Sequence, residues 1–140
     1  MLECLILGDS IAVGTSMARP ECVSYAKGGI NTHQWVNKYI TKDLVAQTVI
    51  ISLGSNDHKY VKTKQELETI RQLVKATNVY WILPHGNLKA SEVPIEQIQK
   101  YVQEVASKYN DTVLPIKYIS GDNIHPSGRG YKELANQTKP

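Results

Sequence analysis

The 140-residue sequence predicts one α/β domain built on a parallel sheet with helices on both faces, and three observations carry that prediction. Short apolar runs rich in β-branched residues alternate along the chain with stretches whose apolar residues recur at helical spacing. One run, Val49-Ile50-Ile51-Ser52-Leu53, is almost continuously apolar, the pattern of a strand covered on both faces. The runs end in loops rich in Gly, Asn, Asp or Pro, the punctuation of turns between strand and helix.

Taken in order, Cys4 to Leu7 is the first strand, and Gly8-Asp9-Ser10 turns it into a helix suggested by Ile11, Ala12, Val13 and Met17. Glu21 to Tyr25 reads as a short second strand closed by Ala26-Lys27-Gly28-Gly29. Asn31 or Thr32 then caps a helix carrying Trp35, Val36, Tyr39 and Ile40. Val49 to Leu53 is the central strand, left through Gly54-Ser55-Asn56-Asp57. Thr63-Lys64-Gln65-Glu66 has the spacing of a capping box ahead of an apolar stripe of Leu67, Ile70, Leu73 and Val74. Val79 to Leu83 is a fourth strand, stopped by Pro84-His85-Gly86-Asn87. Pro94 opens a helix with Ile95, Ile98, Val102, Val105, Ala106 and Tyr109 at helical intervals. Thr112 to Leu114, or on to Ile116, gives a fifth strand. A polar loop from Ser120 to Pro126 precedes a closing helix with Tyr131, Leu134 and Ala135 inward. Strand and helix alternate throughout, and crossovers between parallel strands are right-handed. The expected architecture is therefore a three-layer α/β/α, flavodoxin-like domain spanning 1–140, with about five parallel strands in the order 2-1-3-4-5.

Composition narrows the function classes. Hydrophobic residues at 41% and charged residues at 21% are ordinary for a globular domain and exclude disorder. A net charge of +3, from 16 basic against 13 acidic residues, is too weak and too scattered to argue for nucleic acid. No stretch approaches the roughly 20 apolar residues of a membrane span. The chain opens with no basic segment, apolar core or cleavage site of a secretion signal. With that reading, Cys4 and Cys22 are expected to be buried free thiols, in a soluble, cytoplasmic-type reducing setting.

The chemistry concentrates in the loops that leave the carboxyl ends of the strands, which is where open α/β sheets bind ligands. Ser10 stands at the first of these turns. Its bland role would be to cap the helix that follows. Its other role is that of a nucleophile, which at neutral pH needs a base to accept its proton. His125 is the candidate base, since an imidazole can take and return a proton near neutrality. Asp122, three residues earlier, can hold the ring in the required tautomer. Asn56 offers side-chain N–H groups, Gly28 or Gly29 a backbone N–H, and Ser10 its own, as donors to a developing oxyanion.

Gly8-Asp9-Ser10, Gly54-x-Asn56-Asp57 and Asp122-x-x-His125, followed by Pro126 and by Gly130-Tyr131, occur in this order, each after a predicted strand. Together they resemble the sequence blocks of the SGNH hydrolase superfamily, the GDSL-type esterases and lipases, and the resemblance spans essentially the whole chain. It implies a Ser10-His125-Asp122 triad and an oxyanion hole of Ser10, Gly29 and Asn56, with Gly28 the alternative to Gly29. It also implies hydrolysis of small-molecule or glycan esters without a cofactor. The shortness of the chain favours acetyl or another short acyl group, on a carbohydrate for example.

Other residues are weighed by position. Asp57 and Asp9 are expected to tie their turns together. Tyr60, His85 and Asn87 follow strands and are candidate substrate contacts, while His58 reads as a solvated loop residue. The four histidines are dispersed without metal-site spacing, so no metal is expected. Two other classes fit the same fold: a non-catalytic glycan-binding module, and a flavodoxin-like flavin or phosphate binder using Ser10, Gly14, Thr15 and Ser16. The second lacks the glycine-rich lysine loop of a nucleotide site.

Overall fold

A computed structural model describes residues 1–140. The elements run β1 (Leu2–Gly8), α1 (Ser10–Ala18), β2 (Val23–Ala26), α2 (Thr32–Tyr39), β3 (Ala46–Ser52), α3 (Thr63–Leu73), β4 (Asn78–Leu83), α4 (Ile95–Lys108), β5 (Thr112–Pro115) and α5 (Gly128–Gln137). The five strands form one sheet in the order β2-β1-β3-β4-β5, and every pairing is parallel. This is the expected three-layer arrangement.

Alternation along the central strands divides the core in two. Leu5, Leu7, Val49, Ile51, Val79 and Trp81 point to one face and pack with Trp35 of α2, Leu67 and Ile70 of α3, and Val102 and Val105 of α4. Ile6, Ile50 and Ile82 point to the other and meet Ile11 and Ala12 of α1 and Leu134 of α5. A strand with both faces buried favours apolar side chains at every position, which is why Val49 to Leu53 reads as apolar apart from Ser52. Both tryptophans are core, and each spends its indole N–H: Trp35 on the Tyr25 carbonyl at 2.9 Å, Trp81 on Asp111 at 2.9 Å. Asp111 also takes two hydrogen bonds from Arg71, at 2.7 and 3.0 Å.

Two expectations are corrected. Cys4 and Cys22 are joined in a disulfide, with Cα atoms 4.8 Å apart, rather than free. Parallel pairing sets Leu5 opposite Val23, so the residues just before them are neighbours across β1 and β2. The bond removes the reason for assigning a reducing compartment, because disulfides persist in oxidising ones. Thr63 does not form a capping box with Glu66: α3 has Lys62 at its N-cap without a side-chain bond, and Thr63 and Glu66 bond elsewhere. Met17 is 78% exposed, on the outer side of α1. No helix is long and apolar enough to cross a membrane.

Candidate active site

The turn after β1 delivers Ser10 to the rim of the sheet. Gly8 has φ +145°, and a Cβ there would fall on the Ser52 carbonyl, so this crossing from β1 past β3 requires glycine. Asp9, not Ser10, caps α1: its Oδ1 accepts from the Ile11 N–H at 3.0 Å. The capping role weighed for Ser10 therefore falls to its neighbour, and the Ser10 hydroxyl is free for another partner.

That partner is His125, whose Nε2 lies 2.6 Å from Ser10 Oγ across 115 residues of sequence. The other ring nitrogen, Nδ1, lies 2.5 Å from Asp122 Oδ2. The second carboxylate oxygen of Asp122 accepts from the N–H groups of His125 and Ile124, both at 2.9 Å, and from the Ser120 hydroxyl at 2.8 Å. These donors, with the His125 N–H foremost and the imidazole next, hold the Asp122 carboxyl well below the usual carboxylate range. Its side chain is 48% exposed, so solvent also favours the ionised form. An anion fixed in this way orients the ring so that Nε2 can accept a proton from Ser10.

The loop carrying Asp122 and His125 is itself folded tightly. Ser120 N–H donates to the His125 carbonyl at 2.8 Å, and Asn123 takes φ +63°. The following helix, α5, packs on α1 where Gly14 faces Tyr131, and a Cβ at Gly14 would overlap that ring. Close approach of these two helices brings the ends of the chain together, one carrying Ser10 and the other following His125.

Asn56 is half-buried beside the turn that follows β2. Its Nδ2 donates to the Ile30 carbonyl at 3.1 Å, which leaves the second hydrogen of that amide without a partner. The turn Lys27–Ile30 closes through the Ile30 N–H and the Lys27 carbonyl at 3.4 Å, and Gly29 at its third position has φ +77°. Neither the Gly28 nor the Gly29 N–H donates a hydrogen bond within the protein. A Cβ built on Gly28 would sit 4.0 Å from that of Ser10, whereas one on Gly29 meets nothing within 4 Å. Ser10 thus borders the glycine turn at Gly28, and Asn56 is tied to the end of that turn through the Ile30 carbonyl.

Asp57 is fully buried and accepts from the Thr32 N–H at 2.8 Å, the Thr32 hydroxyl at 2.7 Å and the Thr63 hydroxyl at 2.8 Å. It ties the starts of α2 and α3 to the loop after β3. Thr32 lies 25 residues away in sequence, so spacing gave no sign of that partner. Asp9 is also buried, with Oδ2 lacking any partner, and burial pushes its carboxyl up to about 7.

The three candidate contacts divide. Asn87 spends its amide on Ser91 Oγ and the Val93 carbonyl, both at 2.6 Å, and so organises its own loop instead of facing a ligand. His85 Nδ1 is 3.0 Å from the Asn123 carbonyl, against the loop of Asp122 and His125. Tyr60 is 79% exposed, with its ring near His58 and under the Lys59 ammonium. No group of three or more His, Cys, Asp or Glu side chains is placed to hold a metal ion. Beside the glycine turn lies an open cleft of about 360 Å³, in which Ile30 is the one hydrophobic residue.

No protein-family model matches the sequence, and no curated protein matches it. Solved structures do match along nearly the whole chain. The C-terminal catalytic domain of Streptococcus pneumoniae peptidoglycan O-acetyltransferase A superposes with a TM-score of 0.69 at 20% identity, over 96% of this chain and 88% of that one. A lipolytic protein of the G-D-S-L family from Veillonella parvula gives 0.67 at 15%, over 98% and 96%. An acetyl xylan esterase gives 0.63 at 13%, over 96% of both chains. These likenesses establish that the chain has the fold of GDSL-type acyl hydrolases and acyltransferases.

Proposed function

We propose that this chain is a serine ester hydrolase of the SGNH type that removes acetyl or another short acyl group. The observation that carries the reading is the relay from Ser10 Oγ through His125 to Asp122, at 2.6 and 2.5 Å, in one open rim. Ser10 Oγ attacks the ester carbonyl while His125 Nε2 takes its proton. The carbonyl electron pair moves onto oxygen, which is held by the Ser10 N–H, the Gly29 N–H (Gly28 as the alternative) and the free Asn56 amide hydrogen. Collapse of this intermediate breaks the ester C–O bond, and the imidazolium gives its proton to the departing alkoxide. Water, deprotonated by the same imidazole, then attacks the acyl-serine; the acyl–Oγ bond breaks, the imidazolium returns its proton to Ser10 Oγ, and the acid is released. The shared fold supports an acyl-ester reaction, and glycan esters as substrates agree with the O-acetyltransferase and acetyl xylan esterase among the matching structures.

The short-acyl assignment is supported by the O-acetyltransferase and the acetyl xylan esterase among the matching structures, whose names point to a two-carbon acyl group. Hydrolysis of 4-nitrophenyl esters from acetate to dodecanoate tests it, with kcat/KM expected to be greatest for chains of about two to four carbons. Ser10→Ala and His125→Ala are each expected to lower kcat by about 10⁴ to 10⁶. A glycan-binding protein without turnover would hydrolyse none of these esters.

A further inference from the structure

The cleft beside the glycine turn has a chemical bias that ester hydrolysis alone does not require. Its side chains offer donors only. Lys27 and Lys38 line it, and neither ammonium group is paired with a carboxylate. Gln34 has its amide oxygen occupied by the Asn31 N–H at 2.9 Å, while its NH₂ group has no partner. The N–H groups of Gly28 and Gly29 are equally uncommitted. No acidic residue lines the cleft, and α2, which supplies Gln34 and Lys38, contains none.

The cleft is also coupled to the reacting centre. The Lys27 N–H donates to the Gly8 carbonyl at 3.0 Å, anchoring this lysine to the last residue of β1, two positions before Ser10. The next residue, Gly28, is the one that lies against Ser10. The cleft therefore borders, through Gly28, on the turn that carries Ser10.

We propose that the substrate carries an anionic group, a carboxylate or phosphate near the scissile ester, bound by Lys27 and Lys38 with Gln34 as a neutral donor. This rests on the hydrolase reading above and adds the charge class of the substrate. The anion can belong to the acyl part or to the alcohol part, and matched esters separate the two. Phenyl acetate against 4-acetoxybenzoate places the charge on the alcohol, and phenyl butyrate against phenyl hydrogen succinate places it on the acyl group.

At low salt, one anionic ester is expected to exceed its neutral twin in kcat/KM by about tenfold, with the advantage shrinking as salt screens the exposed charges. Lys27→Ala/Lys38→Ala should abolish that advantage and leave the neutral esters unchanged. Equal rates for both pairs in the unaltered protein, or an equal loss on charged and neutral esters in the variant, would overturn the proposal. Binding to the Ser10→Ala chain keeps the test independent of turnover. Tighter binding of an anionic ester than of its neutral twin, lost on adding the two lysine substitutions, is the expected result. Equal binding overturns the charge assignment, whereas preferential binding combined with no hydrolysis by the unaltered chain overturns the hydrolase reading and leaves the anion site standing.

Discussion

Two aspartates in the loops of this rim are pushed in opposite directions, and the contrast is local. Asp122 is exposed but surrounded by donors, so its anion is favoured; Asp9 is buried with one oxygen unpartnered, so its anion is disfavoured and its carboxyl rises to about 7. Because folding raises the Asp9 pKa, the native state holds a proton that the unfolded chain has released between about pH 4 and pH 7. Stability contributed at this site is present below that window and is lost as pH rises through it. Asp9→Asn keeps the cap and removes the titration. Its stability relative to the unaltered protein should improve by roughly 1 kcal/mol per pH unit across the window, measured by urea unfolding at pH 5 and 7. A difference independent of pH would contradict this. Asn56 stands out in the sequence as a candidate oxyanion donor, but its bond to the Ile30 carbonyl does not, since that contact joins two loops 26 residues apart. Asn56→Ala should lower kcat by about 10² to 10³ with a smaller effect on KM, read from steady-state hydrolysis of a short ester.

Secondary-structure elements are held in register with the site by a few polar anchors. Asp57 joins the first residues of α2 and α3, and α2 in turn begins at the end of the glycine turn, so one carboxylate fixes the position of two helices. Asp57→Ala leaves three donors short of a partner in a buried place and should cost about 2–4 kcal/mol, seen as a lower urea midpoint. A surface-like loss below about 0.5 kcal/mol would show that water replaces the carboxylate. Element identity was written in the apolar periodicity, whereas the anchors were not. Thr63-x-x-Glu66 has the spacing of a capping box, yet Asp57 competes for the threonine hydroxyl and His33 for the glutamate, at 2.9 Å. Asn31-x-x-Gln34, where no such competitor intervenes, does form one. Gly14 stands in the middle of α1, and the Tyr131 ring is what it accommodates.

For the molecule as a whole, the strand order and the gathering of the rim loops were legible because buried parallel strands have an unmistakable apolar pattern. The disulfide was not, because a covalent link between β1 and the residue before β2 depends on register, a non-local property. Cys4→Ala/Cys22→Ala reopens a loop with a sequence separation of 18 and should destabilise the fold by about 3 kcal/mol. Both sulfurs lie toward the amino-terminal ends of their strands, away from Ser10, so kcat for a short ester should be unchanged; a matching fall in kcat would show that the link positions the site. The central claim is that Ser10 is made nucleophilic by His125. A fluorophosphonate probe, followed by peptide mass spectrometry, tests it most directly. One adduct on Ser10, formed at a rate that collapses in His125→Ala and in Asp122→Asn, is the predicted result. No adduct, an adduct on another serine, or labelling of Ser10 at an undiminished rate in His125→Ala would contradict it.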